Sequence, residues 1–225
     1  MRWMLPERVK CLARRYIEKR GYVRGPLAAD IHAAMSRRSD VTVQTVIDVG
    51  ASDGRWSAAV MQYFPLATYL LIEAQKQVHG PGLEKFKASH ANIAYELCAA
   101  GDHDGEIHFD ASEPFGGVAS PVAFKNGDIT VPMRRIDSLV SSRGLRGPFM
   151  IKLDTHGFEV PILNGAVETL SRATMLVIEA YNFTLCQGCL RFYELRAFLE
   201  ERGFGAWISS TCRCGPATRR FGRWI

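Results

Sequence analysis

The sequence has no apolar run approaching the roughly 20 residues needed to cross a bilayer, so no membrane span is expected. Its basic N-terminal stretch also lacks the apolar core of a secretory leader, because Arg14, Arg15, Glu18 and Lys19 interrupt it. A cytoplasmic protein is the expectation. There is no internal repeat, no low-complexity segment, and no zinc-finger, RNP or basic-zipper pattern. Cysteine is sparse: six scattered positions in 225 residues fit free thiols in a reducing compartment better than a disulfide framework. With 47% hydrophobic and 23% charged residues, the composition excludes a disordered tail, a collagen-like fibre and a coiled-coil rod. The length allows one large domain or at most two small ones.

The net charge is +5, and much of the excess basic charge sits at the two ends, in Arg2, Arg8, Lys10, Arg14, Arg15, Lys19 and Arg20 and then in Arg213, Arg219, Arg220 and Arg223. Basic ends can touch nucleic acid or anionic lipid, but a solvated helix face is the plainer reading, and no nucleic-acid partner is expected.

Residues 1–40 read as a helical extension, with helices at 5–17 and 27–35 separated by a Gly/Pro break. From 41 to 204 strand and helix patterns alternate. Strands are predicted at 41–49, 68–72, 93–97, 106–109, 128–133, 149–153 and 175–178, and helices at 56–63, 82–89, 160–171 and 190–201. This alternation predicts an α/β fold, a mostly parallel sheet with helices on both faces.

Chemistry gathers at the ends of these strands. The first ends in Asp48 and runs into Gly50-Ala-Ser52-Asp-Gly54, a D-x-G-x-x-x-G turn. A dinucleotide site would carry G-x-G-x-x-G here. An acid before the glycines repels pyrophosphate but suits an ammonium group, so a ligand with an amino-acid end and an adenosine end fits better, and S-adenosylmethionine is such a ligand. Glu73 closes the second strand, where a carboxylate can accept from ribose hydroxyls. Ala99 and Ala100 follow the third strand, small enough for adenine to lie against the backbone, with Asp102 placed to accept from its amine. Met150-Ile-Lys152-Leu-Asp154-Thr-His156-Gly-Phe-Glu159 sets charges in and after an apolar strand, where they must pair or face a cleft. A further strand ends in the polar groups Glu179 and Asn182.

In order, IDVGASDGRWS, LIEA, CAAGDHDGEIHF, VPMRRIDSL, FMIKLDTHGFEVPILNGA and LVIEAYNF resemble the FkbM family of S-adenosylmethionine-dependent methyltransferases, from about residue 42 to about residue 204. The resemblance implies a Rossmann-like class I methyltransferase fold and O-methylation of a hydroxyl on a sugar, glycan end or polyketide-like metabolite. It places Asp48, Gly50 and Glu73 in the cofactor motif, and Lys152, Asp154, Gly157 and Glu159 in the family's K-x-D-x-x-G-x-E. Two departures from the pattern stand out: Ser52-Asp53 stands where the family usually has Asn, and His156 where it has Gln or Glu. Asp48, Gly50, Ser52, Gly54, Glu73, Ala99, Ala100 and Asp102 are therefore the expected cofactor-binding residues. Asp154, Lys152, Glu159 and His156 are expected at the acceptor, with Asp154 orienting it or taking its proton. His156 reads either as a general base or as a loop histidine. Acceptor preference is expected in residues 115–126 and in the N-terminal segment.

Beyond Phe204 the family's closing strand pair, ending in something like LWQMDLFF, is absent. The final Phe221-Gly-Arg-Trp-Ile225 can be encoded so that a neighbouring frame reads L-W-Q-M-D, which points to a frameshift behind the atypical tail at 205–225. Cys186-x-x-Cys189 with Cys212-x-Cys214 would offer four thiolates to zinc, but a one-residue gap is shorter than zinc sites use, and no metal is assigned. Three rivals stand beside the methyltransferase reading: a nucleotide-dependent oxidoreductase, which the glycine spacing disfavours; a cofactor-binding remnant without turnover; and a nucleic-acid methyltransferase with salt-dependent binding.

Overall fold

The structure is a computed structural model and describes residues 41–205 except Leu185 and Gln187. The helices expected at 5–17 and 27–35, the tail from 206 onward, and Cys212 and Cys214 lie outside the described residues. In chain order the elements are β1 (Thr45–Val49), α1 (Arg55–Val60), β2 (Thr68–Ile72), α2 (Lys76–Ala88), β3 (Ile93–Glu96), β4 (Ala99–Ala100), β5 (Gly105–Asp110), β6 (Val118–Ser120), β7 (Asp128–Arg134), α3 (Ile136–Ser142), β8 (Phe149–Leu153), α4 (Glu159–Asn164), α5 (Val167–Leu170), β9 (Ala173–Ile178) and α6 (Phe192–Glu200).

The main sheet is wholly parallel, in the order β3-β2-β1-β8-β9. All five residues of β1 and of β8 are buried, as central strands covered on both faces must be. Side chains alternate between those faces. Ile47, Val49, Ile151 and Leu153 join Ile136, Leu139, Ile162, Leu163 and Leu195 in one core, under α3, α4 and α6. Asp48 points to the opposite face, where Ser57 of α1 donates to it. The expected α/β architecture is thus present. The chain builds outward from β1 to β3 and then returns to β8 on the other side of β1. That reversal opens a crevice at the carboxyl ends of β1 and β8, where open α/β sheets bind ligands.

A second, four-stranded sheet runs β4-β7-β5-β6, with β5 antiparallel to both β6 and β7. Alternation of Ile107 and Phe109 with polar neighbours on β5, and of Val131 and Met133 on β7, gives it a small core of its own.

Several boundaries differ from the sequence reading. β1 begins at Thr45, because its neighbours enter the sheet only there, with Thr45 opposite Thr68 and Phe149. Helix α2 starts at Lys76 and carries Pro81 inside it, held by the buried His79 and Leu83. The single helix predicted over 160–171 is two, because the Asp137 N–H takes the carbonyl of Gly165 (3.1 Å) and turns the chain. The Asp137 carboxylate then accepts from Glu168 N–H (3.0 Å), Thr169 N–H (2.8 Å) and the Thr169 hydroxyl (2.6 Å), seating α5. Helix α3 was not predicted, although Ile136, Leu139 and Val140 show its periodicity. Cys186 and Cys189, expected as free thiols, form a disulfide with 5.4 Å between their Cα atoms. Gly188, between them, has φ +84°. Among the described residues no helix is long and apolar enough to cross a membrane.

Candidate active site at the carboxyl ends of four strands

Register decides the centre of the site. Asp48 stands opposite Lys152 on the neighbouring strand, so their side chains rise on one face. The Lys152 ammonium lies 3.0 Å from Asp48 Oδ1 and 3.4 Å from Asp154 Oδ2, and donates to the Gly50 carbonyl at 2.8 Å. The Trp56 ring centroid is 5.6 Å away. Burial pulls the Lys152 pKa down, but Asp48 and Asp154 more than offset it and the net shift is upward. Asp48, which the sequence placed against a ligand amino group, has no exposed surface, and its other oxygen accepts from Ser57 at 2.7 Å. Lys152 is likewise buried. Both face inward, toward the loop that they hold.

The turn after β1 is fixed from both sides. Gly50 has φ +70°, and a Cβ there would collide with the Asp154 carbonyl oxygen, so the glycine is needed for this close approach of the two strand ends. Ser52, in left-handed conformation at φ 52°, donates its N–H to Glu73 Oε2 at 2.8 Å. Glu73 Oε1 accepts the Gln75 N–H, also at 2.8 Å. Each oxygen of this buried carboxylate thus has one backbone donor and keeps capacity for another. Beside it Gln75 gives its amide N–H to the carbonyls of Glu113 (3.0 Å) and Pro114 (3.3 Å). Its Oε1 is buried and has no hydrogen-bond partner among the described residues. His79 Nε2 donates to Pro114 O at 2.6 Å, and its Nδ1 faces the Ser52 hydroxyl. The Phe115 ring lies 5.4 Å from that of His79, and the Arg55 guanidinium lies over the same Phe115 ring, 5.2 Å from its centroid. The start of the 115–126 segment therefore leans on the Ser52 side of the crevice.

Ala99 and Ala100 are buried in β4, in the cores of the two sheets. Asp102 is half exposed and bonded to His103 at 2.7 Å. Gly54 caps α1 at φ 82°.

Across the crevice, the β8 end carries Asp154 and His156, and the β9 end carries Glu179. One donor atom from each of these three lies within 4.8 Å of the others. Glu179 is buried and accepts from the Tyr181 hydroxyl at 2.5 Å. His156 sits at φ 51° in left-handed backbone, with its ring 6.3 Å from that of Tyr181. Gly157 follows at φ +104°, and a Cβ on it would lie 2.5 Å from Cys189 Sγ and 2.7 Å from Cys186 Sγ. Glu159 does not face the crevice. It is buried and accepts from Gly157 N–H (2.9 Å) and the Thr155 hydroxyl (3.3 Å), bracing the turn that presents His156. Burial raises its carboxyl pKa against the pull of those donors.

The structure thus brings Asp154 and His156 together, as expected, and adds Glu179, Gln75 and Tyr181, which had no assigned role. Glu179 carried a readable signal, an acid ending a strand. The other two became visible only through the folded contacts.

A family model described as the methyltransferase FkbM domain matches residues 48–205. The 2-O-methyltransferase NoeI of Sinorhizobium fredii (strain NBRC 101917 / NGR234) is 27% identical over 173 residues, covering 69% of this chain and 69% of its own. Among solved structures, an O-methyltransferase family protein from Burkholderia thailandensis aligns with TM-score 0.42 and 12% identity over 92% of this chain and 61% of its own. A precorrin-6y C5,15-methyltransferase from Geobacter metallireducens GS-15 aligns with TM-score 0.43 and 13% identity, over 86% of this chain and 83% of its own.

Proposed function

The chain belongs to the FkbM methyltransferase domain family, and from that we propose that it moves a methyl group from S-adenosylmethionine to a hydroxyl of a sugar, glycan end or polyketide-like acceptor. The observation that carries this reading is the pairing, at one switch point, of a partly unsatisfied polar pocket with a cluster able to hold a hydroxyl. The pocket is Glu73 with the orphaned Gln75 Oε1; the cluster is Asp154, His156 and Glu179. An oxygen acceptor is supported by the 2-O-methyltransferase named among the relatives.

S-adenosylmethionine, when bound, supplies an electrophilic methyl group. Glu73 and Gln75 offer acceptors to the adenosine hydroxyls, and Asp102 at the rim is placed for the adenine amine. Gly50, Ser52 and Gly54 shape the turn against the amino-acid end. Asp48 is a positioning residue, acting through Ser57 and Lys152 on that turn, and Ala99 and Ala100 wall the pocket from behind. Asp154 and His156, at the half-buried rim, orient the acceptor hydroxyl, whose proton leaves to water there. Much of the rate of an in-line displacement comes from alignment, and the two halves of this site stand at the ends of β2 and β8, on either side of β1 in one sheet. The oxidoreductase reading gains no observation here.

The test is thermal unfolding with S-adenosylhomocysteine and, separately, with NAD. At a hundredfold excess over Kd a ligand adds about 2.7 kcal/mol, a shift of roughly 5–10 °C for a chain of this size. A shift with S-adenosylhomocysteine alone, reduced by Glu73→Gln, followed by methyl transfer to a hydroxyl panel, supports the reading. A shift with NAD alone overturns it.

A further inference from the structure

We propose that Asp154, His156 and Glu179 form a divalent transition-metal site, of the Mn²⁺ or Zn²⁺ type, on which the acceptor hydroxyl is held. The inference rests on the methyl-transfer reading for its use, though not for its existence. Two carboxylate oxygens and one imidazole nitrogen converge from the ends of adjacent strands, all within 4.8 Å of one another. An ion with bonds of about 2.0–2.2 Å reaches all three after small side-chain rotations, and Asp154 and His156, half buried at the rim, have room to make them. Three ligands leave the remaining positions open, as a catalytic ion requires.

The donor set also selects the ion. Carboxylates alone suit Mg²⁺ or Ca²⁺, whereas an imidazole shifts the preference toward Mn²⁺, Fe²⁺ or Zn²⁺. The surroundings hold the ligands in place, as second-shell groups do in metal sites. Tyr181 bonds to Glu179, and Lys152 pairs with Asp154. Glu159 and the Cys186–Cys189 bridge pack about the Gly157 turn that carries His156.

The chemistry follows. An acceptor hydroxyl bound to the ion becomes more acidic. Its proton passes to water at the half-exposed rim. The freed oxygen pair forms the new O–C bond as the S–C bond of the methyl donor breaks, and its electrons stay on sulfur. The balance is one methyl ether, S-adenosylhomocysteine and one proton, with no redox step.

The test titrates Mn²⁺ alone into chelator-treated, oxidised full-length protein, read by calorimetry and by the Mn²⁺ electron paramagnetic signal. Mn²⁺ is chosen because it avoids thiolates. One ion per chain is expected, with affinity reduced about tenfold or more in His156→Gln and in Glu179→Gln. S-adenosylhomocysteine binding by both variants reports that they are folded. No stoichiometric Mn²⁺ or Zn²⁺ binding to wild-type protein that binds S-adenosylhomocysteine overturns the proposal, as does binding unchanged in both variants. Mn²⁺ binding that both variants weaken, in a protein that ignores S-adenosylhomocysteine, upholds the metal site and counts against methyl transfer instead; the cooperative unfolding transition of each variant then reports its folding.

Discussion

Asp48 and Lys152 stand side by side on β1 and β8 with their charged atoms 3.0 Å apart, the first wholly buried and the second nearly so. Neither can lose its partner cheaply. Lys152→Met leaves a buried carboxylate unpaired and is expected to cost about 3–5 kcal/mol. Adding Asp48→Asn should return part of that loss. Urea denaturation of the two single variants and the double variant measures the coupling, and additive losses would contradict it.

Gly50→Ala should destabilise without removing any bond. The new Cβ meets the Asp154 carbonyl, and φ +70° is costly for a side chain. A loss of about 1–3 kcal/mol is expected, together with weaker S-adenosylhomocysteine binding, because the Ser52 loop and Asp154 must move apart. Thermal unfolding with and without that ligand checks both.

Asp137 has no part in the proposed chemistry but satisfies three donors at the start of α5. Asp137→Ala should cost about 2–4 kcal/mol, since each buried donor left unpaired costs about 1–3 kcal/mol and partial relaxation is available. Asp137→Asn, which keeps one acceptor, should cost less. Equal losses would show that the hydrogen bonds are not what matters there.

Cys98 is buried in the core of the main sheet, and burial pushes its thiol up to about 12. In folded protein at pH 8 it should resist alkylation, with modification at this position, mapped by mass spectrometry, following unfolding. The folded pKa lies above the unfolded one, near 8.5. Its stabilising contribution is therefore full below that value and is lost as pH rises toward 12. Lys152, also raised, loses its contribution above its unfolded value of about 10.4. Stability should fall on the alkaline side, and Lys152→Met should flatten the upper part of that fall.

The parallel sheet was legible because its strands are short, mainly apolar runs, and the first of them is β-branched and ends in a glycine turn. Strands β2 and β8 fall on their predicted residues, Thr68–Ile72 and Phe149–Leu153. Local pattern failed where a distant group intervened. The break between α4 and α5 is made by the Asp137 N–H, and the position of Lys152 among the site residues reads differently once its partner on β1 is known. Asp154 and His156 were readable as polar groups after a buried strand. Their meeting with Glu179 was not, because it arises from the pairing of β8 with β9. Residue identity made Glu73 a candidate for the proposed adenosine side, whereas Gln75 enters that proposal only through its buried Oε1, unbonded among the described residues.

The opposition of Asp48 and Lys152 also bears on how the chain chooses its sheet. If β8 slid by one residue against β1, Lys152 would turn to the face occupied by Ile151 and Leu153 and enter the apolar layer formed with Ile162 and Leu163. Asp48 would be left buried beside a hydrocarbon side chain. Apolar neighbours such as Ile151 and Leu153 tolerate such a slip, but an ammonium and a carboxylate do not. The pair therefore acts as a checksum on strand alignment: of the parallel pairings available to two interchangeable apolar strands, it admits the one that also sets Gly50 against Asp154.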